Sequence, residues 1–116
     1  MRLPVTLCNM FTDTHSHIHF AREFPDIDAL IARAEDALVS RQIIVGCTPK
    51  DSYQALLFIK KYANCNFYST LGVHPHNADE LNDQILGRFK ELVLQEKKIV
   101  ALGEMGLDYF RNFKPV

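Results

Sequence analysis

The sequence predicts an α/β fold, a parallel βαβαβαβ series. Three observations carry this. Short apolar runs of strand length alternate with segments whose apolar residues recur at helical spacing. The run Ile43-Ile44-Val45 is continuously β-branched, the pattern of a strand covered on both faces. The strand–helix units recur about every 30 residues, the length of a crossover unit, for which right-handed connections are expected.

Each element has its own signal. Met10 to His15 reads as the first strand and runs into a polar stretch. Pro25-Asp26 opens a first helix whose stripe is Ile27, Leu30, Ile31, Ala34 and Leu38, ending near Arg41. Gln42 to Cys47 is the second strand. Thr48 as N-cap, Pro49 in the first turn and Asp51 near the free amides open a second helix. Its buried stripe is Ala55, Leu56, Ile59, Tyr62 and Ala63, and Asn64-Cys65-Asn66 breaks it. Phe67 to Gly72 is the third strand, followed by a mostly polar loop from Val73 to Asn82. A third helix carries Ile85, Phe89, Leu92 and Val93, with Lys97 and Lys98 in a last turn where cations suit the helix dipole. Ile99 to Gly103 is the fourth strand.

Composition narrows the function. A chain that is 47% hydrophobic has ample apolar surface for a core, so disorder is excluded as a global description. A formal net charge of −1 is unlike a polybasic nucleic-acid or membrane-surface protein. Cys8, Cys47 and Cys65 are odd in number with no C-x-x-C pair, which argues against a disulfide framework or a cysteine zinc site. A reducing, cytoplasmic setting is the expectation. Residues 1–9 are too short for a signal peptide, and no run of ~18 apolar residues suggests a membrane span.

Ligands of parallel α/β sheets bind at the C-terminal strand ends. There the sequence places Asp13-Thr14-His15-Ser16-His17-Ile18-His19, then Gly72-Val73-His74-Pro75-His76, then Gly103-Glu104-Met105-Gly106-Leu107-Asp108-Tyr109. His15 and His17 are two apart, so strand geometry puts both imidazoles on one face. Two neutral imidazoles with a carboxylate arriving from elsewhere suit Zn²⁺, Mn²⁺ or Fe²⁺; the alternative is an ordinary polar strand end. Asp13 shares that face and could orient a ligand. His19 continues the parity but lies beyond the strand, where an exposed loop histidine is expected. Glu104 could point into the site and bridge two ions, or be a solvated loop residue. Asp108 could orient water or a leaving group. His74 and His76 flank a stiffening proline and could donate to a phosphate, complete a metal shell, or be exposed loop residues. Cys47, without a specific partner, reads as a small buried residue rather than a nucleophile.

Together these segments resemble the TatD family of metal-dependent deoxyribonucleases, within the amidohydrolase-like barrel superfamily. The residues that carry the resemblance are Asp13-Thr14-His15-Ser16-His17, Leu71-Gly72-Val73-His74-Pro75-His76 and Ala101-Leu102-Gly103-Glu104-Met105-Gly106-Leu107-Asp108-Tyr109. The likeness runs from Met10 to about Lys114. It makes residues 1–9 an N-terminal extension and 10–116 the N-terminal half of a barrel.

The resemblance implies a TIM (β/α)₈ barrel of the metal-dependent hydrolase type, which at ~250 residues is longer than this chain of 116. It implies divalent metal ions (Zn, Mn or Mg) held by His15, His17 and a bridging Glu104. It gives Glu104 and Asp108 catalytic roles, and His74 and His76 contacts with substrate. The implied reaction is hydrolysis of DNA phosphodiester bonds. The family takes two more histidines and an aspartate from later strands, beyond this sequence. These residues alone are therefore expected to bind metal weakly and to show little or no nuclease activity. Open strand edges are expected to lead to aggregation, to a homodimer, or to completion by a second-half polypeptide. Another amidohydrolase-like metal-dependent hydrolase, and a non-catalytic fragment or binding module, are the competing readings.

Overall fold

The computed structural model describes residues 10–111; the expected extension, 1–9, lies outside them. The elements run β1 (Phe11–Ser16), α1 (Ile27–Asp36), β2 (Val39–Ile44), α2 (Pro49–Lys61), β3 (Phe67–Leu71), a kinked 3₁₀ segment (Pro75–Glu80), α3 (Asp83–Gln95) and β4 (Ile99–Leu102). The sheet order is β1-β2-β3-β4, and all three pairings are parallel. The expected parallel series is what forms.

One device starts all three helices. Asp26 accepts from the Ala29 amide at 3.0 Å, Thr48 from that of Asp51 at 3.0 Å, and Asn82 from that of Ile85 at 2.9 Å. Each satisfies a backbone donor that the first helical turn leaves free.

Boundaries differ from the sequence expectation where the backbone turns sharply. α1 stops at Asp36 rather than near Arg41, because Leu38 takes a left-handed conformation (φ 64°). Its amide bonds back to Glu35 O at 2.9 Å, and its carbonyl accepts from Phe11 N at 2.8 Å. The chain is thereby already in the sheet at Val39, and β2 ends at Ile44 rather than Cys47. α3 ends before Glu96, so Lys97 and Lys98 lie beyond its last turn. Ala63 follows the end of α2 and is exposed, not part of a buried stripe. Much of the expected loop from Val73 to Asn82 is the 3₁₀ segment.

The core lies between the central strands and the helices that cover them: Ile44, Phe67 and Leu71 pack with Ala55, Leu56, Ile59, Phe89 and Leu92. Each large side chain there contributes roughly 1.5–3 kcal/mol relative to exposure. The outer strands are far less covered: Phe11 on β1 is 64% exposed and Leu102 on β4 is 61% exposed. These two are the outer strands of the sheet among the described residues.

Ser52 ties α2 to the strand ends. Its fully buried hydroxyl donates to Gly72 O at 3.0 Å and accepts from Gly72 N at 3.1 Å. Gly46 permits this approach, since a Cβ there would lie 2.3 Å from Ser52 Oγ. No helix among the described residues is long and apolar enough to cross a membrane.

Candidate metal centre

His15 lies near the end of β1, and His17 immediately follows it. Their Nε2 atoms are 3.2 Å apart. His17 Nδ1 sits 3.0 Å from Val45 O, which can only accept, so Nδ1 carries the proton. The lone pair is left on Nε2, the atom that faces His15. Asp13, expected to orient a ligand, does so through the backbone: its carboxylate accepts from the His15 amide at 3.0 Å.

Glu104 reaches the same point from the far edge of the sheet. Gly103 N donates to Leu71 O at 2.8 Å, Thr70 Oγ1 donates to Gly103 O at 2.6 Å, and Glu104 N donates to Gly46 O at 3.1 Å. Gly72 makes room for this stretch, since a Cβ there would meet the Gly103 carbonyl carbon at 2.1 Å. Glu104 Oε2 then lies 3.7 Å from His15 Nε2 and 3.9 Å from His17 Nε2.

Among the described residues, His15, His17 and Glu104 form the group whose ligand atoms all lie within 4.8 Å of one another. Two imidazole nitrogens bound to one ion at ~2.0–2.1 Å, with near-tetrahedral angles, sit about as far apart as these two do. The Glu104 oxygen is a few tenths of an ångström further out than that geometry asks. The donor set and the His17 tautomer therefore fit one divalent ion with a position left open. For a second ion, the described residues offer the other oxygen of Glu104, with His74 Nε2 4.0 Å from it.

The two histidines that follow β3, His74 and His76, are arranged differently. His74 Nδ1 accepts from the His76 amide at 3.1 Å, so its Nε2 carries the proton and faces Glu104 Oε1 at 4.0 Å. It is poised as a donor rather than a ligand. His76 Nε2 lies 2.7 Å from Asp108 Oδ2. Asp108 Oδ1 accepts from the amides of Arg111 (2.8 Å) and Phe110 (2.9 Å). The Arg111 amide, then His76, bring its carboxyl down to about 2. Asp108 is thus spent on His76 and on its own turn.

Two neighbours of the centre were not legible. His19 is not an exposed loop residue: its side chain is 2% exposed, with Nε2 2.8 Å from Asp51 Oδ1. A turn closed by Phe20 N to His17 O (3.0 Å) swings it onto α2. Asp51 uses its other oxygen for the Cys47 amide at 2.8 Å. Burial alone would raise the Asp51 carboxyl, but the bonds from His19 and Cys47 outweigh it and hold it below the usual range. Cys47 Sγ donates to Glu104 Oε2 at 3.2 Å. Burial first, then Glu104, push this thiol up to about 12, in keeping with a non-nucleophilic cysteine.

Parallel βα units bring two histidines and a glutamate together at the C-terminal strand ends, a candidate metal centre on a barrel-type parallel sheet. Comparison with known proteins narrows this. Residues 12–116 match the model of the TatD related DNase family. The chain is 43% identical over 88 residues to the 3′-5′ ssDNA/RNA exonuclease TatD of Cronobacter turicensis, covering 76% of this chain and 32% of that protein. It is 35% identical over 106 residues to the uncharacterized metal-dependent hydrolase YabD of Bacillus subtilis, covering 91% and 40%. A crystal structure of a TatD family hydrolase from Entamoeba histolytica superposes with a TM-score of 0.77 at 30% identity, covering 89% of this chain and 39% of that one. The chain belongs to the TatD family. It spans about a third to two-fifths of the length of these relatives.

Proposed function

We propose that this chain carries part of the centre of a metal-dependent nuclease, with His15, His17 and Glu104 as ligands of one divalent ion. The observation that supports it best is the convergence of two imidazole nitrogens and one carboxylate oxygen, with Val45 O fixing the His17 tautomer. A divalent ion held there supplies Lewis acidity at a phosphoryl oxygen and lowers the pKa of water near it.

The chain's own residues do the rest. Glu104 takes a hydrogen bond from Cys47 on one oxygen and turns the other toward His74. His74 presents an N–H suited to a phosphate oxygen. Asp108, ionised down to about pH 2, holds His76 beside it. Glu104 is assigned the catalytic role; Asp108 acts through His76, and His74 and His76 contact substrate. By relation to proteins named ssDNA/RNA exonucleases, the substrate is a single-stranded nucleic acid, DNA first.

Three ligands for one ion and one for a second make metal affinity weak in residues 10–116 taken alone, with residues 1–9 an extension before β1. Affinity rises when a second-half polypeptide or a second copy covers the open edges of β1 and β4. The test is hydrolysis of end-labelled single-stranded DNA with Mn²⁺ or Mg²⁺, by the chain alone and with a C-terminal TatD half-barrel supplied. Cleavage by the completed barrel, lost in Glu104→Gln, is expected. A completed barrel that folds and binds metal yet leaves DNA and RNA intact overturns the reading.

A further inference from the structure

A groove of about 700 Å³ opens between the turn after β1 and the outer face of α2. Three exposed cations line it: Arg22 from the turn, and Lys50 and Lys61 from α2. None of the three is in an ion pair among the described residues. Two carboxylates also line it. Glu23 is exposed, and Asp51 is held ionised by its bonds from His19 and the Cys47 amide, so three cations face two acids. In a chain whose net charge is −1, this is a local excess of positive charge.

The groove adjoins the metal centre. Phe20 lines it and stacks on His17, with ring centroids 4.9 Å apart and planes 18° from parallel. From Lys50 to Lys61 the helix rises about 16 Å. At ~3.4 Å per stacked nucleotide that is a run of about five phosphates, fewer when the strand is extended. A cationic wall with an aromatic ring at its head is the combination that holds single strands: charge follows the backbone, and a ring offers a face to an unstacked base.

We propose that this groove is a track for single-stranded nucleic acid leading to the His15–His17–Glu104 centre, with Arg22, Lys50 and Lys61 holding backbone phosphates. The proposal rests on the nuclease reading for what the strand is delivered to, but binding in the groove needs no metal. It is therefore tested in EDTA, by fluorescence anisotropy of a labelled oligothymidylate about ten nucleotides long over a range of salt.

The variant Arg22→Gln/Lys50→Gln/Lys61→Gln changes only exposed side chains. It should bind at least tenfold more weakly. Its slope of log K against log salt should fall by about 2, at ~0.7 per lost contact. The control Arg88→Gln/Lys97→Gln should stay near wild type, and a duplex of equal length should bind more weakly than the single strand. His15→Ala, which leaves Phe20 and its stack on His17 in place, should still bind DNA in EDTA while losing Zn²⁺, so failure of the metal reading shows separately. A triple variant with wild-type affinity and slope, no binding by the wild-type chain at low salt, or equal binding of duplex would each overturn the proposal.

Discussion

The Nδ1 of His17 lies 3.0 Å from the carbonyl oxygen of Val45, and this contact decides which ring nitrogen is free for a metal. A carbonyl cannot donate, so the proton stays on Nδ1 and the lone pair on Nε2. Long-range ¹H–¹⁵N correlation spectra should show His17 as the Nδ1–H tautomer, with the Nε2 resonance moving when Zn²⁺ is added. A His17 protonated on Nε2 alone would contradict the proposed ligand geometry.

Gly72 should tolerate no side chain. A Cβ there would meet the backbone of Gly103, where Thr70, Leu71 and Gly46 all anchor the approach to Glu104. Backbone cannot swing aside as a side chain can. Gly72→Ala should cost roughly 1–3 kcal/mol in urea denaturation and weaken Zn²⁺ binding. Gly87→Ala, which meets nothing, should cost neither.

The His19–Asp51 pair should support the fold and do so in a pH-dependent way. Asp51 has a folded-state value below its ordinary one, so its contribution is complete above the unfolded carboxylate value near 4. It is lost as pH falls through the lower folded value. Asp51→Asn should lower stability by about 1–2 kcal/mol at neutral pH. Its acid limb, followed by circular dichroism, should be shallower than wild type.

Cys47 should be chemically quiet. A thiol at about 12 rather than 9.0 carries on the order of a thousandfold less thiolate at a given pH. With chelator present, iodoacetamide should label Cys47 far more slowly than a free cysteine, as followed by mass spectrometry. Glu104→Gln, which removes a carboxylate that contributes to the rise, should speed the labelling.

Local chemistry wrote much of this structure into the sequence. Thr48-Pro49 marks the start of α2 because capping depends on neighbouring residues only, and the H-x-H spacing at the end of β1 brings His15 and His17 together. The features that were not legible depend on contacts across many residues. Leu38 ends α1 through a left-handed turn that no glycine announces. His19 obeys the same parity as His15 and His17, yet a turn carries it to Asp51, 32 residues away. Cys47 meets Glu104 across 57 residues, through three strands held in register. His74 reads equally well as ligand or donor until the His76 amide is seen to occupy its Nδ1.

The central claim is that His15, His17 and Glu104 share one ion. Calorimetric titration of Zn²⁺ and Mn²⁺ into the chain, and into His15→Ala, His17→Ala and Glu104→Gln, tests it most directly. One ion per chain is predicted, with affinity falling by at least tenfold in each variant, while His76→Ala stays within about threefold because its imidazole is turned to Asp108. Equal affinity in all variants, or a loss confined to His76→Ala, would contradict it.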